Sequence, residues 1–122
     1  MDANRFLESL NDLAQIYLDI MRNKKVKIFN LPEQSNWYHV YRFGVHIFSI
    51  HEHYDDLLNA YEYSMQLGNS PVFTFYLDNQ KNTETFKRLH ELNMLCVSKF
   101  NKQKQPLMQR VLSFIKCNYK QK

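Results

Sequence analysis

The residues with the most obvious chemical capacity form a short run from His51 to Asp56. Imidazoles two positions apart on an extended segment point the same way, so His51 and His53 can offer two nitrogens to a metal, with Asp55 or Asp56 as a third ligand. We favour the alternative that the run is the polar entrance to a helix, where acidic groups suit the positive end of the helix dipole. We therefore expect neither a metal nor a cofactor.

Two further residues are candidates for catalysis, and for each a structural role is the better interpretation. Cys96 lies in an apolar run, whereas a nucleophilic thiolate needs a partly exposed, electropositive setting. Asp78 follows a predicted strand, where α/β enzymes place catalytic groups, but Asp there readily makes a turn. With two glycines in the chain, no phosphate-binding loop is recognisable. We expect a protein that is not an enzyme; a metal-dependent enzyme using His51 and His53 is the remaining alternative.

The charges of the chain are unevenly distributed. Sixteen Lys and Arg against twelve Asp and Glu give a net charge of +4, yet no acidic side chain follows Glu91. The last 31 residues carry seven basic groups, at Lys99, Lys102, Lys104, Arg110, Lys116, Lys120 and Lys122. Exposed lysines attract acidic protein surfaces and, with aromatic rings beside them, single-stranded nucleic acid. We expect an acidic protein partner, with nucleic acid as the alternative.

Aromatic residues on a predicted strand supply candidate anchors for such a partner. Trp37, Tyr38 and Tyr41, together with Tyr63 further along the chain, are of the types that dominate interface energies when they fill pockets. Together with the basic end, they favour a non-enzymatic regulator or inhibitor that docks on another macromolecule. The excess of Asn, Lys, Ile, Tyr and Phe matches A+T-rich codons, which suggests a low-G+C bacterium, its phage or a similar genome as the source. A small regulator of this kind is expected from a phage or mobile element.

Length and composition predict one domain over residues 1–122, in which 99–122 are a basic linker plus a C-terminal helix. The 44% of hydrophobic and 15% of aromatic residues exclude a disordered chain. No apolar run approaches the roughly 20 residues that span a bilayer. Two cysteines are too few for a disulfide framework, so we expect a cytoplasmic protein.

The first half of the chain reads as a helix followed by strands. Apolar residues at steps of three and four predict a helix that Asp2 caps. Val26–Leu31 and Trp37–Arg42 are rich in β-branched and aromatic residues and are separated by a five-residue polar gap, as in a hairpin. The apolar run resumes at Val45–Ile50, and Gly44 is either a turn or a bulge. A free edge strand in this hairpin leaves room for a homodimer.

The second half is predicted to alternate helices and strands. The spacing of Tyr54, Leu57, Leu58, Tyr61 and Met65 predicts a helix that Gly68 ends. A strand over Val72–Leu77, buried on both faces, precedes a helix capped by Asn82 or Thr83. A short strand at Met94–Val97, a linker at Asn101–Gln105 and a helix starting near Pro106 complete the chain.

This order favours an α+β fold, a mixed sheet of four or five strands packed against three or four helices. A small α/β arrangement is the alternative, because residues 45–97 read as strand, helix, strand, helix, strand. Residues 82–94 resemble the late helix and strand of N-acetyltransferases, over about a tenth of the chain. The glycine-containing pyrophosphate loop of that family has no counterpart here, so we infer no function from the resemblance.

Overall fold

Two helices pack on one face of a five-stranded antiparallel sheet, which confirms an α+β architecture. The computed structural model describes the backbone of residues 3–120 and the side chains of residues 3–103. The elements in chain order are α1 (Ala3–Asn23), β1 (Lys27–Phe29), a 3-10 turn (Pro32–Gln34), β2 (Trp37–Arg42), β3 (Val45–Asp55), β4 (Ala60–Leu67), β5 (Phe73–Leu77) and α2 (Thr83–Lys120). Each strand pairs with the next one along the chain.

The core lies between this sheet and the helices, as the alternation of apolar residues along the strands requires. Val40 pairs with Phe48, and Ile50 pairs with Met65, so the four side chains share one face. Tyr17 of α1 stacks on Phe48 with ring centres 4.2 Å apart. The buried apolar residues are Leu10, Ala14, Tyr17, Leu18, Met21, Ile28, Val40, Phe48, Ile50, Tyr63, Met65, Phe75, Leu77, Leu89, Leu92 and Cys96.

The predicted helix after Tyr54 is wrong, and so is the interpretation of residues 51–56 as its entrance. Residues 45–55 form the long strand β3, and the segment from Ala60 to Leu67 is strand β4. Tyr61, Tyr63 and Met65 alternate with polar residues, and their rings fit a pleated surface. Leu57 and Leu58, which complete the helical spacing, lie exposed in the turn between the strands. The helical spacing of the apolar residues was therefore misleading, because Leu57 and Leu58 contribute to it but do not lie in the core.

The end of the chain also differs from expectation, because one helix replaces three predicted elements. The strand at Met94–Val97, the linker at Asn101–Gln105 and the helix from Pro106 all belong to α2. Cys96 is buried one turn after Leu92, so the helical core spacing continues through the segment read as a strand. Within the described residues, neither helix contains a stretch long and apolar enough to cross a bilayer.

The sheet is purely antiparallel, so the predicted mixed sheet and the α/β alternative are both wrong. Strand β5 lies at an edge, and its burial alternates, because Thr74 and Tyr76 point away from the helices and are exposed. The predicted burial on both faces is therefore wrong as well. The hairpin of β1 and β2 is confirmed, and Gly44 lies in the turn that joins β2 to β3. A separate irregularity of register falls at Val40/Tyr41.

The outer edge of β1 is closed by a side chain of α2. The Ile28 backbone N–H donates to Oε1 of Gln103 at 2.9 Å, and Nε2 of Gln103 donates to the Ile28 carbonyl at 3.0 Å. One amide thus satisfies both outward backbone groups of Ile28, as a neighbouring strand would. Unpaired edges invite strand pairing between molecules, and this contact occupies the outward backbone groups of Ile28 that such pairing would use.

Replacing Gln103 with Ala is expected to lower the free energy of unfolding by about 1–2 kcal/mol, because two partly buried hydrogen bonds are lost. Urea unfolding followed by circular dichroism measures the change. Lys102→Ala is the matched control, since Lys102 is exposed next to Gln103 and should leave stability unchanged. Equal stabilities of the two variants would show that the amide does not hold the edge.

Candidate functional site

A concave surface of about 910 Å³ lies where β1 meets the end of β2 and the following turn. Cations line it at Lys25, Lys27 and Arg42, and aromatic rings line it at Phe29, Tyr41 and Phe43. We call these six residues the basic–aromatic groove. Its described lining contains no carboxylate. The volume lies within the range of about 300–1,000 Å³ that is common for binding clefts.

Strand pairing explains why these residues meet. Lys27 lies opposite Tyr41, and Phe29 lies opposite His39, so all four side chains point to the face of the sheet away from the helices. The rings of Phe29 and Tyr41 meet edge to face with centres 5.3 Å apart. Val26 and Leu31 extend the apolar part of the lining at the two ends of β1. A short edge strand thus builds half of the groove.

Each of two phenylalanines in the groove carries a cation over its ring. Nζ of Lys27 lies 5.2 Å from the ring centre of Phe29, and the guanidinium carbon of Arg42 lies 4.7 Å from that of Phe43. Both are cation–π contacts, which hold the positive charges beside apolar surface. Nε of Arg42 is buried and has no hydrogen-bond partner within the described part of the chain. The groove therefore presents positive charge that is not neutralised from within.

The turn that closes the groove is strained. Arg42 pairs with Val45, so Phe43 and Gly44 form a two-residue turn with φ of 53° and 75°. Such turns favour Asn-Gly, and positive φ is a clear outlier for a bulky residue. The Phe43 side chain is also 87% exposed, so apart from the Arg42 guanidinium over its ring little packing offsets this cost. A conformational cost at so exposed a position makes Phe43 a candidate for a functional role.

Phe43→Asn is expected to raise the free energy of unfolding by about 0.5–1 kcal/mol, because Asn tolerates the left-handed conformation better than Phe. Urea unfolding measures the difference. Val45→Thr, a change at an exposed strand position beside the turn, serves as the control and should have a smaller effect. A loss of stability in Phe43→Asn would show that the ring stabilises the fold.

A chain of hydrogen bonds supports the floor of the groove. Nδ1 of His46 lies 2.6 Å from the Gly68 carbonyl, and Nε2 of His46 lies 2.7 Å from Oγ of Ser49. Oγ of Ser49 lies 2.6 Å from Nδ1 of His39. One arrangement of hydrogens satisfies all three contacts: Nδ1–H of His46 donates to the carbonyl, Ser49 donates to Nε2 of His46, and Nδ1–H of His39 donates to Ser49. Nε2 of His39 remains as a buried acceptor with no partner among the described residues.

This arrangement resembles a serine–histidine pair, but it is not built for nucleophilic attack. Ser49 is fully buried, so its oxygen is not accessible to a substrate. Burial, and then the charge of nearby His46, lower the pKa of His39 below its ordinary value of 6.5. The neutral ring fits the donor role that the chain of hydrogen bonds requires. The histidines therefore hold the sheet face below the groove in place.

Stability is expected to fall as the pH drops from about 7 to about 5, because the unfolded state binds protons that folded His39 resists. The stabilising contribution of His39 is complete above pH 6.5 and is lost as the pH falls toward its lowered folded pKa. In His39→Asn, the side-chain amide replaces the donor to Ser49 without titrating. Urea unfolding at several pH values should show a shallower dependence in this variant. His51, whose pKa burial also lowers, accounts for part of the remaining slope. Parallel curves for both proteins would contradict the assignment.

The structure separates the predicted aromatic anchors. Tyr41 lies in the groove. Trp37 lies on the same face of the sheet, where its ring stacks 5.4 Å from that of His51. Tyr38 points to the helices and meets Phe100 with ring centres 6.0 Å apart. Tyr63 is fully buried in the core and is not a surface anchor. Two of the four predicted anchors therefore belong to the face that carries the groove.

Only the start of the basic end falls among the described side chains. Lys102 is exposed, Lys99 is half-buried, and neither forms an ion pair within the described residues. Because Gln103 contacts β1, this part of α2 approaches the strand that carries Lys27. The side chains of Lys104, Arg110, Lys116 and Lys120 lie outside the described residues, and so does Lys122.

The run from His51 to Asp56 is divided between the two faces of the sheet. His51 and His53 point outward, opposite Ser64 and Glu62, and the described residues contain no group of three metal-type ligands. Glu52 faces the helices, where it accepts a hydrogen bond from the Tyr63 hydroxyl at 2.6 Å. Nδ1 of His90 lies 3.0 Å from the same carboxylate. This cluster links the sheet to α2.

Cys96 and Asp78 have the structural roles favoured from sequence. Cys96 is a buried free thiol, and burial raises its pKa to about 12. Oδ1 of Asp78 accepts from the backbone N–H groups of Gln80 and Lys81 and so shapes the turn before α2. Neither residue lies in the groove.

Five of the six residues of the groove were missed from sequence, namely Lys25, Lys27, Phe29, Arg42 and Phe43. The available signal is the alternation in Lys25-Val26-Lys27-Ile28-Phe29, where every second residue is basic or aromatic. An aromatic residue before glycine in a hairpin turn is a second signal, because Asn or Asp is usual there.

Comparison with known proteins found no match. No family model fits the chain, and no curated protein or solved structure is similar enough to be counted as a relative. The case for a function therefore depends on the groove itself.

Proposed function

We propose that the protein is a non-enzymatic binding protein that docks an acidic segment of a partner protein in the basic–aromatic groove. The observation that carries the proposal is a cleft of about 910 Å³ that is lined by three cations and exposed rings and, among the residues that the structure describes, by no carboxylate. Partner carboxylates complement Lys25, Lys27 and Arg42. A large apolar side chain of the partner fits between Phe29, Tyr41 and the aliphatic ends of the cleft. Charge then sets orientation and encounter rate, and the apolar anchor supplies most of the affinity.

The contacts that the aromatic rings already make favour a protein partner over single-stranded nucleic acid. Bases bind by stacking on open aromatic faces. In Phe29 and Phe43, one face of each ring is occupied by a cation of the protein, and Tyr41 packs against Phe29 and His46. Val26 and Leu31 add aliphatic surface, which suits an apolar side chain better than a base.

The strained turn also supports docking. Phe43 exposes a large ring at the rim of the cleft and costs conformational energy there. An aromatic side chain that a partner covers on binding is often a hot spot of the interface. The variant Phe43→Asn is therefore expected to bind the partner less tightly although it is more stable.

Peptide selection tests the proposal without a known partner. Random phage-displayed peptides selected on the full chain should be enriched in Asp and Glu beside Leu, Phe or Trp. Fluorescence anisotropy then measures the affinity of a labelled selected peptide, with labelled oligothymidylate as the nucleic-acid probe. The peptide is expected to bind more tightly and to resist displacement by oligothymidylate. Selected peptides without acidic residues, or tighter binding of oligothymidylate, would contradict the proposal.

In the cell, we propose that this docking makes the protein a regulator or inhibitor of its partner. We also propose a cytoplasmic location and an origin in a phage or mobile element. Two cysteines, of which Cys96 is a buried free thiol, support a reducing compartment, and the A+T-biased composition supports the origin.

A further inference from the structure

The turn between β3 and β4 projects two leucines into solvent. Leu57 is 96% exposed and Leu58 is 59% exposed, and Asp55 and Asp56 precede them. We call residues 55–59 the hairpin tip. Exposed leucines at the end of a hairpin contribute nothing to the core, and two adjacent ones form a small apolar surface that contact with another molecule would bury.

The hairpin tip is held in one conformation by its own polar groups. Oδ1 of Asp55 accepts from the backbone N–H groups of Leu57 and Leu58 at 3.0 and 3.2 Å. The Tyr54 hydroxyl donates to Oδ1 of Asn59, and Asn59 adopts a positive φ of 49°. The leucines are therefore presented on an ordered turn, and ordering before binding lowers the entropic cost of association.

The chemistry of the hairpin tip complements that of the basic–aromatic groove. The tip offers acidic groups followed by two exposed aliphatic side chains, and the groove offers cations around apolar surface. This is the kind of segment that the proposed function assigns to the groove, so the inference rests on that proposal. The chain itself contains an occupant of the expected chemistry.

Geometry requires that the contact form between two molecules. Lys27 and Tyr41 lie in register with His46 near the start of β3, whereas Asp55 ends that strand nine residues later. At about 3.3 Å per residue, the tip lies about 30 Å from this part of the groove. The tip of one molecule therefore cannot reach its own groove.

We propose that the hairpin tip of one copy binds in the basic–aromatic groove of a second copy. Leu57 inserts between Phe29 and Phe43, and the Asp56 carboxylate meets Arg42. The two contacting surfaces differ, so each bound copy leaves one tip and one groove unused, and association proceeds head to tail. A partner with an acidic segment competes for the same groove and therefore dissociates the head-to-tail oligomer.

Sedimentation equilibrium of the full chain over a concentration series tests the inference, with two single-sided variants. Leu57→Ser disables the tip, and Arg42→Glu disables the groove; both side chains lie outside the core. Each variant alone is expected to raise the dissociation constant at least about tenfold. An equimolar mixture should form one-to-one dimers that do not grow further, because only one intact tip meets one intact groove. Asp12→Lys and Lys87→Glu, at exposed positions on the helices, are the matched controls.

The outcomes separate this inference from the proposed function. A wild-type protein that stays monomeric, or association that both variants leave unchanged, overturns the head-to-tail contact. If a selected acidic peptide still binds the wild-type groove, only the inference has failed. If neither the peptide nor a second copy binds there, both have failed. The contact is supported if each variant alone associates more weakly than wild type and the equimolar mixture of the two variants forms dimers.

Discussion

The double charge reversal Lys27→Glu and Arg42→Glu is expected to weaken binding of a selected acidic peptide by about 100-fold, which is about 2.8 kcal/mol. Each substitution removes an attraction and adds a repulsion next to the partner carboxylates. Both residues also cover rings in the groove, so the apolar anchor loses its ordered surroundings. Fluorescence anisotropy at low and at physiological salt measures the affinity. The affinity of the charge-reversed protein for the peptide should increase little when the ionic strength is lowered.

The control for this prediction keeps the net charge of the reversed protein. Lys81→Glu with Lys87→Glu changes two exposed lysines next to or within α2, away from the groove. Its peptide affinity should stay within about threefold of wild type, since exposed charges beyond about 10 Å are screened. Equal losses in the two double variants would show that overall charge, and not the groove, attracts the peptide.

Truncating Phe48 to Ala is expected to lower the free energy of unfolding by about 3–5 kcal/mol, the largest effect on stability that we predict. Phe48 is fully buried between the sheet and α1, where its ring stacks on that of Tyr17. The truncation removes this contact and leaves a cavity that the antiparallel strands on both sides cannot close. Urea unfolding followed by circular dichroism measures the loss.

Since small domains have only about 5–15 kcal/mol of stability, Phe48→Ala is close to the limit of folding. Phe48→Leu therefore gives a graded comparison, with an expected loss of about 1–2 kcal/mol. Phe43→Ala is the exposed control and should change stability by less than about 0.5 kcal/mol. Similar losses from the two alanine substitutions would contradict the assignment of Phe48 to the core.

The spacing of apolar residues predicted the fold correctly where that spacing fits either a helix or a strand but not both. The first helix has an unbroken stripe, and the strands around Pro32 and Gly44 have strong β propensity, so α1 and the β1–β2–β3 hairpins follow from sequence. In the segment from Tyr54 to Leu67, the apolar residues fit period 3.6 as well as period 2. Leu57 and Leu58 are exposed, so they do not belong to an apolar helical face, and the remaining apolar residues fit strands. This exposure is known only once the chain has folded, so the sequence alone does not show it.

The groove was not predictable from sequence spacing because its halves are distant in the chain. Lys27 and Arg42 are separated by fifteen positions, and only the register of β1 against β2 brings them together. Tyr41 was predicted as an anchor from its residue type, and the pairing gives it Phe29 as a neighbour. The basic end is evident from composition, but composition does not show that Gln103 brings α2 to the edge of β1.

The central claim is that the groove, and not the basic end of the chain, receives the partner. Titration of a selected acidic peptide into ¹⁵N-labelled protein, followed by amide chemical shifts, tests this most directly. The account predicts the largest shifts at residues 25–29 and 41–44, with saturation at one peptide per protein. Shifts confined to α2 beyond Lys99, with the groove amides unchanged, would contradict it.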